Sequence, residues 1–440
     1  FKMIKNIPNW INGSAMDPAN KSWVEKVNPD NELIDSQFAD STENDLDHAI
    51  RSSLDAYETW SQITPVLRGQ YLFDFIDLIK LNKDKLATCV AKETGKSFND
   101  AFGEVGAAIA QGEFFAGEGR RLYSTSLTSA VSGKQCQTIR QPHGLVGLIV
   151  PANTPIANIA WKIFPALICG NTAILKASED SPEIAYLIGE ISKEAKLPDG
   201  VLNIIQGHGN IVGESLINDP RVQLISFTGS TEVGKHIASQ VGARMGRVSL
   251  ELGGKNTFVV CDDADINNAV HWAALSAFSN AGQRCAAASR IIVFKEIYNP
   301  FVEKLITKAN SLVLGTDSQS DLGPVMNKKQ FDNILTAIDK EIAIGAKILC
   351  GYPIDASDKE KGFYIKPTLI SNIENTSQFC QNEIFGPVAS VHQVDSLQQA
   401  LDIANNSNFG LTAAIHTKDI DRAFWYAKNI RSGTVNINSG

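Results

Sequence analysis

The chain has 440 residues, enough for about three domains of ordinary size. Hydrophobic residues make up 43% and charged residues 20%, the balance of a globular protein. The formal net charge is −8 and no long basic run occurs, so we expect no nucleic-acid partner. No charged-then-apolar leader and no apolar run of about 18 residues is present, so we expect neither a signal peptide nor a membrane association.

Apolar periodicity predicts amphipathic helices in the first third, at residues 45–60, 66–81 and 101–121. From residue 145 onward, apolar runs alternate with helical segments. The runs predict strands at 145–150, 171–178, 200–207 and 222–229, and the segments between them predict helices at 156–168, 182–197, 211–218 and 232–245. This alternation is typical of a parallel sheet that is covered by helices on both faces.

A second strand–helix series follows. Strands are predicted at 256–261, 289–294, 347–351, within 383–394 and at 432–438, with helices at 270–278, 299–312, 331–346, 397–405 and 422–430. We therefore predict an α/β protein with two parallel-sheet lobes. The change of series falls near residues 249–255, and a crevice between two lobes is a common place for a ligand.

The seven cysteines are scattered and never form a C-x-x-C pair. This argues against a disulfide framework and a zinc site, and it favours a reducing, cytoplasmic setting with no metal. Most of them should be small buried apolar residues. Cys285 differs, because it lies in a polar break, "NAGQRCAAASR", between a helix-like and a strand-like stretch.

Two segments of the first series suggest contacts to a nucleotide. In "ISFTGSTEVG", Gly229 permits a sharp turn and Ser230 is a good N-cap, so the helix that follows offers an anion site or is simply well capped. In "ILKASEDSP", Lys176 and Glu179 follow a buried strand. They are placed either to bind ribose hydroxyls or to be solvated charges at a helix start.

Two further segments suggest catalytic groups. Glu251 in "VSLELGGKN" stands between apolar residues and a Gly-Gly pair, where a carboxylate could act as a general base, face water on an edge strand, or pair with an arginine. Asn153 in "PANTP" is held between two prolines. Its amide could donate to a developing oxyanion, although asparagine is also common in turns.

Together "PANTP", "LKASED", "FTGSTEVG", "ELGGKN", "NAGQRC" and "EIFGP" resemble, in order and spacing, the motifs of the NAD(P)-dependent aldehyde dehydrogenase superfamily. The similarity runs along essentially the whole chain. It implies that Cys285 is the nucleophile, that Asn153 and the amide of Cys285 hold the oxyanion, and that Glu251 activates water to release a carboxylate. The presence of Glu251 favours the hydrolytic branch over the CoA-acylating one.

The resemblance also implies a cofactor site, NAD with NADP possible. Lys176 and Glu179 match the adenosine-ribose pair, and the turn at Gly229 and Ser230 matches the pyrophosphate position. Glu383 matches the nicotinamide-ribose position, with Phe385 packed near the nicotinamide. A 2′-phosphate beside the Glu179 carboxylate would be repelled, so NAD is expected to be preferred.

For the substrate, the resemblance places Arg284 toward the substrate tunnel, with Thr154 and Trp161 lining it. A cation there suits an aldehyde with a distal carboxylate, and "FFAGEGRRLY" is also similar to semialdehyde dehydrogenases. The alternatives are a neutral aliphatic or aromatic aldehyde, and a structural ion pair for Arg284.

By the same resemblance we expect a Rossmann-like NAD-binding domain, an oligomerisation arm, a catalytic domain and a return strand. Their predicted bounds are 1–121 with 142–250, 122–141, 251–430 and 431–440. The chain stops at "NINSG", where family members usually continue for some tens of residues. A homodimer or homotetramer is expected where that tail is present.

Two rival functions stay open at this point. A cysteine hydrolase would need a histidine beside the Cys285 thiol. A non-enzymatic relative that only binds ligands would be expected to lack the thiol, the base or the amide, whereas Cys285, Glu251 and Asn153 are all present.

Overall fold

The structure is a computed structural model that describes residues 4–352 and 362–440, and these divide into two compact units. The first unit comprises residues 4–27, 34–93 and 99–251. The second comprises residues 28–33, 94–98, 252–352 and 362–440. Each unit has its own sheets and its own buried apolar core.

The first unit alternates strands and helices after a mixed N-terminal part. Its strands are β1 (Lys5–Ile7), β2 (Asn9–Ile11), β3 (Ser14–Met16), β4 (Trp23–Val27), β5 (Ile34–Ala39), β6 (Ser126–Thr128), β7 (Gln135–Gln137), β8 (Leu145–Ile149), β9 (Thr172–Lys176), β10 (Leu202–Ile205), β11 (Val222–Thr228) and β12 (Arg247–Glu251). Its helices are α1 (Glu43–Trp60), α2 (Pro65–Leu81), α3 (Lys83–Thr94), α4 (Phe98–Gly117), α5 (Pro155–Ile168), α6 (Pro182–Glu194), α7 (Glu214–Asn218) and α8 (Thr231–Ala243).

The main sheet of this unit has the order β12-β11-β8-β9-β10-β2-β3. Strands β12 to β10 run parallel, and β2 and β3 extend the sheet antiparallel. Ile149 at the end of β8 pairs with Phe227 of β11 and with Lys176 of β9, so these strands end at the same level. The segments that follow them therefore lie along one edge of the sheet, its carboxyl edge.

The second unit continues the alternation. Its strands are β13 (Asn256–Val260), β14 (Ala288–Phe294), β15 (Lys347–Cys350), β16 (Thr368–Ser371), β17 (Val388–Val394), β18 (Thr412–His416) and β19 (Thr434–Ile437). Its helices are α9 (Ile266–Phe278), α10 (Tyr298–Asn310), α11 (Lys328–Ala343), α12 (Gln378–Gln381), α13 (Leu397–Asn405) and α14 (Ile420–Asn429).

The sheet of the second unit has the order β15-β16-β17-β14-β13-β18-β19 and is parallel except for β15. Asn256, the first residue of β13, pairs with Ala288, the first residue of β14. On the other side of β14, Arg290 pairs with Ser390 of β17, close to the start of that strand. The segments that precede β13, β14 and β17 therefore lie along a common amino edge.

The predicted fold class is confirmed, since both main sheets are largely parallel and are interleaved with helices. Several elements were not predicted, among them α3 and the core strand β18. Residues 211–218, predicted as one helix, begin in a π-helical turn (Gly209–Gly213) and are α-helical only in α7. Within residues 4–352 and 362–440, no helix is both long enough and apolar enough to cross a membrane.

Candidate active site

Lys176 and Glu179 form an ion pair at the carboxyl edge of the first unit. Lys176 is the last residue of β9, and its side chain is only 4% exposed. Its Nζ lies 3.0 Å from Glu179 Oε2, and Glu179 Oε1 accepts a hydrogen bond of 2.7 Å from the Gly209 amide. Burial lowers the pKa of Lys176, and the Glu179 carboxylate opposes that shift. Lys176 is therefore not a solvated surface charge.

The turn at Gly229 and Ser230 lies on the same edge, between β11 and α8. Ser230 is the N-cap of α8, as predicted, and its hydroxyl accepts from the Val233 amide. The first amides of a helix have no carbonyl partner within the helix, and they attract anions. The amide of Gly229 donates to the carbonyl oxygen of Glu251 at 3.1 Å, which ties this turn to the end of β12.

Asn153 and Thr154 connect β8 to α5. The N-cap residue Thr154 makes no side-chain cap, and Glu104 Oε1 instead accepts from the amides of Ile156 and Ala157 at 3.0 and 3.3 Å. The side-chain Nδ2 of Asn158 donates to Thr154 Oγ1 at 2.9 Å and to Asn153 Oδ1 at 3.3 Å. Since its oxygen accepts, Asn153 presents Nδ2 as its donor end.

Glu251 is the last residue of β12, which is an edge strand, and its side chain is exposed. The sequence left three alternatives open for Glu251. The structure agrees with the alternative in which the carboxylate faces water on an edge strand. Such a carboxylate has the access to water that a general base needs.

Lys162 of α5 is a charged neighbour of Glu251 that the sequence argument missed. It is buried and donates to Ser226 Oγ at 2.8 Å. Burial lowers its pKa to about 8, and the negative charge of Glu251 opposes that shift. The available signal was a lysine inside the largely apolar helix "PIANIAWKIFPALI".

Trp161 lines a groove of the first unit, and its side chain is 56% exposed. Thr154, predicted to line the tunnel with Trp161, is the residue before α5 and is not among the residues that line this groove. Three cationic side chains, those of Arg68, Arg140 and Lys162, also line the groove, and among its described lining residues there is no carboxylate.

Cys285 lies in a bent loop at the amino edge of the second unit. The three residues Asn280, Ala281 and Gly282 all have positive φ, at 54°, 53° and 66°. For the two non-glycine residues this conformation costs about 1–3 kcal/mol each. Gly282 cannot be replaced without movement, because a Cβ there would overlap the carbonyl of Gly386.

Gln283 anchors this loop. Its side chain is buried, its Nε2 donates to the Pro324 carbonyl at 3.3 Å, and its Oε1 accepts from the Met326 amide at 2.9 Å. The strained turn is thus held by hydrogen bonds on the side chain that immediately follows it. This explains structurally why a glutamine follows Gly282.

The thiol of Cys285 is half-buried, in contrast to Cys89, Cys261, Cys350 and Cys380, which are buried. Burial and the Glu383 carboxylate raise its pKa, and the Ala286 amide and the Arg284 guanidinium oppose them. A thiol with this environment is mainly protonated at neutral pH until a base or a change of charge releases its proton.

Glu383 precedes β17 at the same edge. Its Oε1 accepts from the Gly254 amide at 3.2 Å, and burial raises its pKa to about 6, against the opposing effects of that amide and of Lys255. A Cβ at Gly253 would displace the Glu383 carboxylate from its present position. Phe385 follows with a positive φ of 56°.

Arg284 lines the same small cavity as Glu383 and Phe385. Its guanidinium donates to Ser279 Oγ at 2.7 Å, and no carboxylate of the described residues forms an ion pair with it. The structural ion pair that was the alternative role of Arg284 is therefore absent among the described residues. The guanidinium keeps its charge available for an anion.

A hydrolase would need a histidine at the nucleophile. In the described part of the second unit, the thiol with a histidine neighbour is Cys380, whose Sγ is 3.8 Å from His392 Nε2. Both residues are buried. No group of three or more metal-ligand side chains is arranged around a common point in residues 4–352 and 362–440.

The predicted site residues thus fall into two groups, each on one edge of a sheet. The first unit brings Asn153, Lys176, Glu179, Gly229, Ser230 and Glu251 to its carboxyl edge, and the second brings Arg284, Cys285, Glu383 and Phe385 to its amino edge.

The chain is similar to a known protein family and to several individual proteins. Residues 16–440 match the model of the aldehyde dehydrogenase family. The chain is 36% identical to the alpha-ketoglutaric semialdehyde dehydrogenase of Bacillus subtilis, over 98% of this chain and 89% of that protein. It is 35% identical to retinaldehyde dehydrogenase 3 of Rattus norvegicus, over 98% and 84%.

Among solved structures, betaine aldehyde dehydrogenase from Staphylococcus aureus in complex with NAD+ superposes with a TM-score of 0.96. The two are 32% identical, and the match covers 99% of this chain and 87% of that one.

Proposed function

The chain belongs to the aldehyde dehydrogenase family, whose enzymes oxidise aldehydes to carboxylic acids, and we propose that its substrate is an aldehyde that carries a distal carboxylate. Its dinucleotide cofactor is proposed to be NAD, with NADP as the weaker alternative. The observation that carries the substrate proposal is Arg284, a guanidinium beside the nucleophile position that has no carboxylate partner in the described chain.

The residues present fit a nicotinamide dinucleotide. A buried lysine with a carboxylate at the end of a parallel strand suits ribose hydroxyls, and the N-terminus of α8 suits a pyrophosphate. In the second unit, Glu383 and Phe385 offer a carboxylate and a ring for the nicotinamide ribose and the nicotinamide. When bound, the cofactor supplies the hydride acceptor.

In the proposed reaction, the Cys285 thiol gives its proton to water, and its sulfur then forms a bond to the aldehyde carbon. The carbonyl oxygen becomes an oxyanion, which the Cys285 amide and Asn153 Nδ2 stabilise. Loss of hydride from the same carbon leaves a thioester on Cys285. Glu251 takes a proton from water, the resulting hydroxide attacks the thioester, and the thiol and the carboxylic acid are released.

Charge favours an anionic substrate over a neutral one. Arg284 lies near the thiol and has no carboxylate partner among the described residues. The identity to an alpha-ketoglutaric semialdehyde dehydrogenase agrees with this choice. The exposed indole of Trp161 and the identity to a retinaldehyde dehydrogenase favour a neutral apolar aldehyde as the second candidate.

For the organisation of the chain we propose that the first unit binds the cofactor and that the second carries the nucleophile.

The ribbon β6–β7 is exposed along both strands, and a two-stranded ribbon is marginally stable alone. We propose that residues 122–141 contact another copy of the chain in a homodimer or homotetramer. Sedimentation equilibrium of a variant with this ribbon shortened tests the assignment.

The substrate test is a panel of aldehydes with NAD and NADP, followed by absorbance of the reduced cofactor. Succinic and α-ketoglutaric semialdehydes are compared with propanal and benzaldehyde, and Cys285→Ala is the inactive control. Arg284→Met should raise KM for the semialdehydes about 10- to 100-fold, since a charge-assisted bond is worth about 1.5–3 kcal/mol, and should leave KM for propanal unchanged. Arg431→Met, which removes an exposed arginine of the same unit, should change neither.

A preference of the unmodified protein for propanal or benzaldehyde would contradict the carboxylate proposal. An equal effect of Arg284→Met on charged and neutral aldehydes would assign Arg284 to the loop instead of the substrate.

A further inference from the structure

Helix α6 is capped by a residue from a different helix. Its own N-cap residue, Ser181, makes no side-chain cap. The two amides that such a cap would serve, those of Glu183 and Ile184, donate instead to Glu93 Oε1 and Oε2, at 2.7 and 3.0 Å. Glu93 lies in α3, 90 positions before Glu183. One carboxylate thus satisfies two helix-start donors through both of its oxygens.

Glu93 is 2% exposed, and a carboxylate so deeply buried is costly unless it is well bonded. The two amides and the positive end of the α6 dipole supply that compensation. Lys26 reinforces the arrangement, because its Nζ donates to the backbone carbonyl of Glu93 at 2.7 Å. The Cys89 thiol lies 3.7 Å from Glu93 Oε2.

The segment in front of α6 is the loop that carries Glu179. This loop is fixed by the sheet at Lys176 and by the Glu93 cap at Glu183 and Ile184. The segment between these two fixed points is short, residues 177–182, and it carries Glu179. The Glu179 carboxylate is proposed to bind the adenosine ribose. A shift of the α6 start would therefore move Glu179 relative to Lys176.

We propose that Glu93 is a positioning residue for the adenosine-ribose subsite, holding the loop between β9 and α6 in its ligand-binding conformation. The inference rests on the proposed function, since it assumes that Lys176 and Glu179 bind that ribose. It predicts that Glu93 affects cofactor affinity and leaves the chemistry at Cys285 unchanged.

The first test is Glu93→Gln. A neutral amide can accept through one atom only, so one of the two helix-start bonds is lost. We expect NAD to bind about 10-fold more weakly by calorimetry, which is about 1.4 kcal/mol, with KM for NAD raised and kcat at saturating NAD unchanged. The rate of Cys285 alkylation by iodoacetamide without cofactor should also be unchanged.

Asp45→Asn is the matched control. Asp45 is likewise a buried carboxylate of the first unit that accepts backbone amides, those of Ala19 and Thr42, at the start of helix α1. It should lower thermal stability without weakening NAD binding. Unchanged NAD affinity in Glu93→Gln, or equal weakening in both variants, would overturn the positioning role. Failure of the unmodified protein to bind NAD would overturn the proposed function as well.

A second measurement does not depend on that variant folding. Burial raises the pKa of Glu93 to about 7, against the opposing effects of Lys26 and of the two amides. The charged and titratable groups that face it are Lys26, Glu183 and Cys89. As the pH falls through 7, Glu93 becomes protonated and accepts the two amides less well, so NAD affinity should fall.

This measurement is made in a Glu383→Gln background, which removes a second carboxylate whose pKa lies near neutral. A decline in NAD affinity between pH 8 and pH 6 supports the proposal. A flat profile over that range overturns it.

Discussion

The side-chain amide of Asn256 donates to the carbonyl oxygen of Cys285 at 2.7 Å. The same Nδ2 donates to the Ala287 carbonyl at 2.9 Å, and Asn256 Oδ1 accepts from the Thr412 amide at 3.1 Å. Asn256 is the first residue of β13. One side chain therefore ties the Cys285 loop to the amino edge of the sheet, at the cysteine and two residues after it.

Asn256→Ala should lower kcat about 100-fold, because it frees a strained loop and leaves two carbonyls without their donor. Measurements of kcat and of the Cys285 alkylation rate check this. Asn268→Ala is the control, since Asn268 Nδ2 also donates to a carbonyl, that of Asn438, but on the exposed surface of the same unit. Equal losses in the two variants would show that the effect is not specific to the cysteine loop.

Much of the first-unit site could be predicted from sequence, for a physical reason. Buried parallel strands appear as continuous apolar runs, and ligands gather where such strands end. That rule selects Lys176 and Gly229 without coordinates. It fails for the second unit, where Cys285 and Glu383 precede their strands and lie on the amino edge. There the prediction depended on the polar break and on the family resemblance.

What the sequence could not show are contacts between distant segments. Glu104 caps α5 from 52 positions away, and Glu93 caps α6 from 90 positions away. The N-cap residues Thr154 and Ser181 are of types that commonly cap helices, but neither side chain caps its own helix. The alternation of apolar runs and helical segments therefore predicted both helices, but the groups that stabilise their first turns lie far away in the sequence.

Glu383→Gln should accelerate alkylation of Cys285. The ionised Glu383 carboxylate raises the pKa of the thiol, and above pH 6 that carboxylate is charged. Removing the charge lowers the thiol pKa, so more thiolate is present at pH 8 and iodoacetamide should react about 3- to 10-fold faster without cofactor. Glu374→Gln, an exposed carboxylate of the same unit, should have no effect. A slower reaction in Glu383→Gln would show that Glu383 acts as a base toward the thiol.

Lys255→Met should stabilise the protein. Lys255 is 2% exposed and its Nζ has no hydrogen-bond partner, although it lies 4.8 Å from the centre of the Phe379 ring. A cation–π contact of about 0.5–2 kcal/mol does not offset a buried ammonium that lacks hydrogen bonds. We expect a gain of about 1–3 kcal/mol in unfolding free energy at pH 7.

The pH dependence of that gain follows from the sign of the shift. Burial lowers the pKa of Lys255 to about 7, whereas the unfolded chain keeps it near 10.5. The unfolded state binds more protons between these values, so Lys255 makes stability rise with pH from 7 to 10.5. The advantage of Lys255→Met should therefore be largest below pH 7 and shrink toward pH 9, with exposed Lys347→Met as the control. A variant less stable at every pH would show that the ammonium has a partner.

Glu179→Gln should shift cofactor preference toward NADP. The Glu179 carboxylate pairs with Lys176 and accepts from the Gly209 amide. The glutamine keeps an acceptor for Gly209 and removes the charge that repels a 2′-phosphate, while Lys176 becomes free to attract it. We expect kcat/KM with NADP to rise about 10-fold and kcat/KM with NAD to fall, because a ribose hydroxyl bond to a charged acceptor is lost.

Glu194→Gln removes the same charge at the far end of α6 and separates this local effect from net charge. If both variants gain equally with NADP, the carboxylate acts only through the overall field; if neither gains, Glu179 does not lie at the 2′ position.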